Sequence, residues 1–315
     1  MTDKPVYVFR GDALAAYGFG EEHPFGLDRH DVFHDELSEQ SHSDRLRYVD
    51  PVMCRPADLT LFHTADYVDR VSTLSKRGVG YLDQGDTPVF PGVYEAASTV
   101  VGSTLAAVDA VMTGEAGRAF VPIGGLHHAA RGGAAGFCVF NDCGVGAEHL
   151  RERHGLQRVA YVDIDAHHGD GVYYAFEDDP LVVFADIHED GRYLYPGTGS
   201  AAEIGVGPAS GTKLNIPLPP GSGDDEFMAA WEAVEAHIDA ARPEFILLQC
   251  GADSLAGDPI THLNFSEEAH AVAAMRLCAL ADRHCNGRIV GLGGGGYNRR
   301  NLARAWTRVV QAFAA

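Results

Sequence analysis

The sequence predicts an α/β protein whose mostly parallel sheet is covered by helices on both faces. Short apolar, β-branched runs recur along the 315 residues, and most of them do not alternate with polar residues. Such runs are typical of strands that are buried on both faces. Longer helical patterns lie between the runs, and strands that alternate with helices indicate a doubly wound sheet.

Six predicted strands share consecutive Val, Ile, Leu and Phe residues. They are Val6–Phe9, Ala119–Ile123, Arg158–Asp165, Leu181–Ile187, Phe245–Gly251 and Arg288–Gly294. The four clearest helix predictions are Pro91–Met112, Asp225–Ala241, Ser266–Cys285 and Asn298–Ala314. The third of these opens with a serine N-cap and acidic residues in its first turn, which favour a helix start.

Composition and organisation narrow the class of protein. No repeat, low-complexity tract or linker divides the chain, so one domain over residues 1–315 is the simplest interpretation. The six cysteines are scattered without a CxxC pair, which predicts reduced thiols and a cytoplasmic location. We find no signal peptide and no apolar run near the roughly 20 residues that cross a membrane. The net charge of −20 argues against a nucleic-acid partner. Solubility explains that charge most simply, although it could also attract cationic ligands.

The stretch "VDIDAHHGDG" at Val162–Gly171 places charge at the end of an apolar strand. Ligands of open α/β sheets bind beyond the carboxyl ends of the strands. Alternate residues of a strand face the same side, so Asp163, Asp165 and His167 could converge. Buried acids repel one another unless a cation joins them, and a divalent metal would do so. A salt-bridged surface turn is the alternative.

A second apolar strand, in "LLQCGADSLAGDP", is followed by Asp253. Asp253 could cap the next turn, or it could join Asp165 and His167 as a third metal ligand. Three protein ligands with an open position are typical of catalytic zinc. An oxygen-rich set also suits Fe²⁺, Mn²⁺ or Co²⁺, so the identity of the metal stays open.

Two further stretches carry groups that could act on a substrate. "PIGGLHHAARGG" puts His127 and His128 after a strand, and imidazole is the usual proton shuttle near neutral pH. Asp163 and Asp170 are the spare acids that could orient them. "GLGGGGYN" places Tyr297 after four glycines, where its hydroxyl could donate to a developing oxyanion. Each of these two signals is weak by itself, and a plain glycine-rich turn is the alternative interpretation of the second.

Taken together, these stretches resemble the histone deacetylase superfamily, including its bacterial acetoin-utilisation and acetylpolyamine relatives. The matching motifs occur in the family's order, and they are "GGLHHA", "GFCVFND", "YVDIDAHHGDG", "YPGTG", "GADSLAGDP" and "GGGGYN". Weaker similarity in "FHTADYV" and "EEHPFGLDR" extends the match back to about Glu21. Six motifs in order are far more specific than any one.

The resemblance implies an arginase-deacetylase fold and a metal-dependent amidohydrolase that releases an acyl group, most simply acetyl, from a lysine or related amine. By motif position Asp165, His167 and Asp253 are the ligands of Zn²⁺, with Fe²⁺ or Co²⁺ as alternatives. His127 is backed by Asp163 and His128 by Asp170, and Tyr297 is the electrophilic tyrosine. The other implied positions are Gly136, Phe137 and Tyr195 in the acyl tunnel, Asp86 at its rim, and Arg29 in an internal acetate channel.

Two positions bear on a further cofactor and on the substrate. Asp186 stands where many members of the family have serine, in a region with Asp163 and Asp165 that holds a structural monovalent cation. A carboxylate there would either bind K⁺ more tightly or replace it. Ile260 stands at the expected tunnel mouth, where polyamine-selective relatives have glutamate. We therefore expect an N-acylated lysine, peptide or small amine as substrate rather than an acetylpolyamine.

Two other classes of function remain at this point. A binuclear manganese ureohydrolase shares the fold, and a catalytically silent binding protein could retain it. Metal stoichiometry separates the first alternative and an acetyl-lysine assay the second. The sequence leaves the oligomeric state open.

Overall fold

A computed structural model describes residues 4–20, 23–40 and 44–315. The first residues of the predicted domain and Glu21 and Glu22 of "EEHPFGLDR" lie outside the described residues. Within the described part, eight strands form one sheet: β1 Val6–Phe9, β2 Leu46–Val49, β3 Arg118–Val121, β4 Val159–Asp163, β5 Val182–Glu189, β6 Lys213–Leu218, β7 Phe245–Gln249 and β8 Ile289–Leu292. Their order is β2-β1-β3-β8-β7-β4-β5-β6, and every pair is parallel. The predicted α/β class is thereby confirmed.

Ten α-helices are found in the same part of the chain. They are α1 Asp12–Ala15, α2 Arg29–Gln40, α3 Pro56–Leu59, α4 Ala65–Arg77, α5 Val93–Thr113, α6 Asp142–Glu152, α7 Asp170–Ala175, α8 Asp224–Ala241, α9 Glu267–His284 and α10 Arg299–Ala314. Helices α4, α5 and α6 lie in one layer, and α2, α8, α9 and α10 lie in the other.

Two hydrophobic cores fill the spaces between the sheet and these layers. Strand β7 shows the reason, because Phe245 and Leu247 point into one core while Ile246 and Leu248 point into the other. All four side chains are fully buried. A strand that is apolar on both faces cannot alternate, which explains the consecutive apolar residues in the sequence.

The two strands that the sequence analysis missed are the edges of the sheet. Strand β2 is half exposed along its length, and β6 is partly exposed after its first residues. Edge strands contact one neighbour only, so their sequences carry more polar residues and a weaker strand signal. At β6 the buried ammonium of Lys213 donates to the carbonyls of Asp179 (2.8 Å) and Val182 and to Thr212 Oγ1 (3.1 Å).

Helix α5 corrects the expectation that no apolar run is long enough to cross a membrane. It has 21 residues with a mean hydropathy of 1.3 in its most apolar window, and 78% of that window is buried inside the protein. A helix that is apolar on all sides is typical of a protein core as well as of a membrane span. Here α5 packs against α6 and β3.

Candidate active site

The candidate site lies at the carboxyl ends of β3, β8, β7 and β4, which are neighbours in the sheet. Strand register aligns three of its polar side chains, because Asp163 at the end of β4 pairs with Gln249 on β7 and with Asp186 on β5. The loops after β3, β4, β7 and β8 and the first turn of α7 carry the predicted catalytic and metal-binding residues other than Asp163, whereas Tyr195 follows β5 and Asp186 lies within it. The parallel topology therefore gathers residues that are far apart in the sequence.

The loop after β4 differs in detail from the prediction. Strand β4 ends at Asp163, two residues earlier than expected, so Asp165 and His167 lie beyond it. Successive carboxylates then fold the loop, since Asp163 Oδ1 accepts from the backbone N–H of Asp165 and Asp165 Oδ1 accepts from that of His167, each at 3.0 Å. Side-chain hydrogen bonds of this kind fix a turn, and they make the side chains converge without a continuous strand.

Asp165, His167 and Asp253 meet in one buried cluster. His167 Nδ1 lies 3.1 Å from Asp165 Oδ1 and 3.1 Å from Asp253 Oδ2, and the three donor atoms are within 4.8 Å of one another. Burial and the charge of Asp165 raise the pKa of Asp253 to about 7. Burial opposes a charge on His167, but the carboxylates of Asp253 and Asp165 outweigh it and raise the pKa of His167.

These contacts test whether the residues fit a divalent cation. The two buried carboxylates need a nearby positive charge, and without a metal a proton on His167 supplies it. A divalent cation can take the place of that proton, as metal binding to histidine generally does. The backbone also leaves room for the donors: a Cβ on Gly295 would lie 2.0 Å from Asp253 Oδ2. The residues fit an imidazole and carboxylate site of the zinc or iron type.

The tandem histidines lie beside this cluster and are each held by one acid. His127 Nδ1 lies 2.7 Å from Asp163 Oδ2, and His128 Nδ1 lies 2.6 Å from Asp170 Oδ1. Their Nε2 atoms are 3.1 Å apart. Burial opposes a charge on His127, but Asp163 and Asp165 outweigh it and raise the pKa of His127 to about 10. Burial and the neighbouring His127 lower the pKa of His128.

Tyr297 faces the same space from the loop after β8. Its ring packs edge-on against Phe137 at 5.8 Å between centroids. Burial raises the pKa of its hydroxyl well above the usual range, followed by the charges of Asp253 and Asp165. The hydroxyl therefore keeps its proton and can act as a hydrogen-bond donor.

Gly136, Phe137 and Tyr195 lie close to the cluster, at the positions where the resemblance expects an acyl tunnel, called here the passage. The His128 ring lies 5.1 Å from the Tyr195 ring. A Cβ on Gly136 would lie 2.4 Å from His128 and 3.1 Å from Tyr195, and its φ is +53°. Phe137 has a φ of 68°, which is rare for an aromatic residue. Tyr17 holds it there by donating to its carbonyl at 2.7 Å.

A surface cavity of about 560 Å³, called here the mouth, is lined by Asp83, Asp86, Tyr195 and neighbouring loop residues. Hydrogen bonding to Asp83, with burial, raises the pKa of the Asp86 carboxyl to about 6. A separate buried space of about 10 Å³ lies between the histidines, Asp165, His167 and Tyr297. Tyr195 of the mouth contacts the His128 ring, which lines this space. Ile260 lines neither of these two spaces. Asp258 connects it to Tyr297, since its carboxylate accepts from the backbone N–H of both residues.

Arg29 is fully buried on the far side of Tyr297. It donates to the carbonyls of Gly296 (3.0 Å) and Gly294 (2.6 Å), and its guanidinium lies 3.9 Å from the centre of the Phe25 ring. One terminal nitrogen has no hydrogen-bond partner among the described residues. Burial lowers the pKa of Arg29 to about 10, so it stays cationic at neutral pH.

Asp186 has partners for both of its oxygens. Oδ1 lies 2.7 Å from His188 Nδ1, and Oδ2 accepts from the backbone N–H of Gly169 at 2.9 Å. Burial opposes a charge on His188, but Asp186 outweighs it and raises the pKa of His188. An imidazolium is thus available to balance the carboxylate that the sequence singled out.

Three positioning groups were missed by the sequence analysis. Gln249 donates to Asp165 Oδ2 at 2.8 Å, Tyr161 donates to Asp163 Oδ2 at 2.5 Å, and Asp258 holds the Tyr297 loop. Asp258 lies inside a quoted motif, and Gln249 interrupts an apolar strand. A polar residue within a buried strand was the signal that could have identified Gln249.

The fold matches a known structure and a known family. A crystal structure of the HDA15 HD domain superposes with a TM-score of 0.90 at 26% identity, covering 99% of this chain and 90% of that chain. The family model described as the histone deacetylase domain matches residues 23–313. The chain therefore belongs to the histone deacetylase family.

Two curated relatives show how far the similarity extends. The chain is 40% identical over 313 residues to the acetoin utilization protein AcuC of Bacillus subtilis (strain 168), covering 96% of this chain and 80% of that protein. It is 34% identical over 313 residues to histone deacetylase clr6 of Schizosaccharomyces pombe, covering 96% and 75% respectively.

Proposed function

We propose that this protein is a metal-dependent deacetylase that removes an acyl group, acetyl by preference, from an N-acylated lysine or a related amine. The observation that carries the proposal is a single buried cluster at the carboxyl ends of the strands. In it three buried metal donors, two linked histidines and a tyrosine face one another. Family membership supports hydrolysis as the class of reaction.

Asp165, His167 and Asp253 would hold the metal, with Zn²⁺ as the first choice and Fe²⁺ or Co²⁺ as alternatives. A divalent ion there supplies Lewis-acid chemistry that polarises an amide carbonyl and makes water more acidic. Gln249 and the backbone N–H of Gly295 each donate to Asp165 Oδ2 at 2.8 Å. These bonds fix the orientation of that carboxylate before any ligand arrives.

The two histidines divide the proton transfers. With Asp163 and Asp170 accepting from the Nδ1 atoms, one proton lies between the two Nε2 atoms, which are 3.1 Å apart. His128, whose pKa is lowered by burial, takes the proton of the attacking water. The pair then delivers a proton to the nitrogen of the leaving amine.

Tyr297 stabilises the negative charge that develops on the amide oxygen. Its hydroxyl keeps its proton, and Tyr297 lines the same buried space as the histidines. A preorganised donor of this kind acts on charge that appears only in the transition state. Phe137 packs against its ring and limits its orientation.

The passage would bind the extended side chain of an acylated lysine. Gly136, Phe137 and Tyr195 contact the methylene groups, and Asp86 at the mouth accepts from a backbone N–H of the substrate. Arg29, with its unpaired nitrogen, would bind the released carboxylate on the inner side. Asp86 would thus act at the outer end of the passage and Arg29 at its inner end.

A structural K⁺ near Asp163, Asp165 and Asp186 would compete with the His188 imidazolium for the Asp186 carboxylate. We therefore propose that the Asp186–His188 pair replaces part of the role of K⁺. Stability that does not change between Na⁺ and K⁺ buffers would support replacement.

Acetylpolyamines are the second candidate substrate, because Asp83 and Asp86 make the mouth acidic. We favour acyl-lysine because the resemblance assigns Ile260 to the position where polyamine-selective relatives have glutamate, and an unpaired ammonium is costly to bury. Ile260 does not line the mouth itself, so the Ile260 variants below test this assignment and not a contact within the mouth. The six free, buried cysteines support a cytoplasmic location, and we propose neither a membrane nor a nucleic-acid partner.

The test compares kcat/KM for an acetyl-lysine peptide, an acetylated spermidine and a small N-acetyl amine. Chelation should inactivate the enzyme, and Zn²⁺, Co²⁺ or Fe²⁺ should restore it. Ile260→Glu should gain turnover on the polyamine, whereas Ile260→Gln, of similar size but uncharged, should not. A wild-type enzyme about tenfold better on the polyamine, roughly 1.4 kcal/mol of discrimination, would reverse the choice of substrate. No turnover of any amide by the metal-loaded protein would refute the function.

A further inference from the structure

A second group of metal-ligating side chains lies outside the active site. It consists of Asp109, His149 and His154, called here the helix-end cluster. The Nε2 atoms of His149 and His154 each lie 2.7 Å from the same oxygen, Asp109 Oδ1. The three donor atoms are all within 4.8 Å of one another.

The topology places this cluster at the amino ends of the strands, whereas the candidate active site lies at their carboxyl ends. Asp109 is near the end of α5, which precedes β3, and His149 is near the end of α6, which precedes β4. A helix that connects parallel strands runs antiparallel to them, so its C-terminus lies at the amino ends of the strands. The active site lies at the carboxyl ends, so the two clusters do not share a ligand.

We propose that the helix-end cluster binds one divalent transition-metal ion, such as Zn²⁺, through Asp109 Oδ1 and the Nε2 atoms of His149 and His154. Two imidazoles and one carboxylate favour such an ion over Mg²⁺ or Ca²⁺, which prefer oxygen ligands only. Water would complete the coordination on the exposed side.

The electrostatics of this region favour a cation independently of the donor set. His149 lies in the last turn of α6, and Asp109 lies just before the last turn of α5. The C-terminal end of a helix carries partial negative charge, which attracts cations.

The ligands of the helix-end cluster combine one buried side chain with one exposed side chain, as expected for a fixed site that an ion can reach. The His149 side chain is only 10% exposed, so packing between α5 and α6 fixes its position, whereas Asp109 is 50% exposed. In the described part of the chain His149 Nδ1 has no hydrogen-bond partner. The ring orientation therefore depends on the contact that Nε2 makes with the cluster.

A bound ion would connect three segments: α5, α6 and the chain that leads into β4. It would act on stability and not on the chemistry of the active site. The alternative to a bound ion is that the two histidines only donate hydrogen bonds to Asp109, which would give the same distances. Metal stoichiometry separates the two.

The experiment measures Zn²⁺ bound per chain by equilibrium dialysis, after chelation and removal of the chelator. Wild-type protein should bind two ions, and His154→Gln and Asp109→Asn should each bind one while keeping wild-type deacetylation. Asp253→Asn should keep the ion at the helix-end cluster. His284→Gln is the matched control, because His284 Nε2 also lies 2.7 Å from an aspartate oxygen, that of Asp239, but without a second imidazole.

Thermal unfolding supplies a second measurement. Zn²⁺ should raise the melting temperature of Asp253→Asn, and adding His154→Gln to that variant should abolish the increase. One ion per chain in the wild type, with no change in His154→Gln, would refute the proposal and leave a hydrogen-bonded cluster only. Circular dichroism of each variant checks that loss of the ion does not follow from loss of the fold.

Discussion

The Nε2 atoms of His127 and His128 lie 3.1 Å apart, so a single proton can lie between them. The acid on His127, Asp163, is fully buried, whereas the side chain of Asp170 on His128 is 20% exposed. The two imidazoles differ in proton affinity: Asp163 and Asp165 outweigh burial and raise the pKa of His127 to about 10, whereas burial and the neighbouring His127 lower the pKa of His128. The pair can therefore accept one proton while it keeps another.

Asp163→Asn should shift the pH dependence of deacetylation. The charge of Asp163 helps to keep His127 protonated, so its loss lowers the pKa of His127 and the pair loses its proton at a lower pH. The alkaline limb of kcat/KM should move to lower pH than in the wild type. An alkaline limb that does not move would assign the proton to another group. The same pH profile is measured for Asp170→Asn, which removes the charge beside His128 instead of the charge beside His127.

Tyr297→Phe should lower kcat by roughly 10²–10³, the size expected for one oxyanion donor. The ring and its packing against Phe137 remain, so KM should change little, because the hydroxyl acts on charge that develops in the transition state. Steady-state kinetics on an acetyl-lysine peptide measure both constants. An unchanged kcat with a higher KM would mean that the hydroxyl only binds the substrate.

Asp253→Ala and His167→Ala should remove both the metal of the active site and the activity. Each residue supplies a donor to the buried cluster, and the remaining two donors leave the ion underliganded. Elemental analysis of a variant that also carries His154→Gln avoids interference from the helix-end cluster. Full turnover or a retained ion in that background would show that the ligand set is wrong.

Lys213→Met should lower the free energy of unfolding by about 2–4 kcal/mol. The substitution keeps the volume but leaves buried carbonyl groups without their donor, and each such group costs about 1–3 kcal/mol. Urea unfolding measures the difference. Lys76→Met, at an exposed position on α4, should stay within about 0.5 kcal/mol of the wild type. Equal stability of the two variants would show that the ammonium of Lys213 contributes nothing net.

Acid should destabilise the protein partly through His63. Its Nε2 accepts from the backbone N–H of Asn141 at 2.9 Å, and burial lowers its pKa to about 4. The unfolded chain binds this proton near pH 6.5 and the folded chain near pH 4. Stability is therefore fully present above pH 6.5 and falls as the pH drops towards 4, by up to about 3 kcal/mol.

The measurement is urea unfolding at several pH values in wild type and His63→Gln. The variant should lose stability less steeply between pH 6.5 and 4, because it has one fewer group that binds a proton on unfolding. Parallel slopes for the two proteins would show that His63 is not responsible.

The sequence by itself determined the class of fold and singled out candidates for the site. Buried strands such as β4 and β7 are apolar on both faces, so their local composition identifies them without tertiary information. Acids and histidines that follow such strands stand out for the same reason, which is why Asp165, His167 and Asp253 could be named as candidates, whereas the role of Tyr297 came from the motif resemblance.

Only the tertiary structure decided how those residues are arranged. Edge strands β2 and β6 escaped prediction because exposure on one side removes the apolar signal. Gln249 and Tyr161 reach Asp165 and Asp163 through contacts between strands or across a strand face, and no local pattern encodes the partner of such a side chain. The helix-end cluster shows the same limit. Its three residues lie up to 45 positions apart. They come together only because the helices that connect parallel strands all end near the amino ends of those strands.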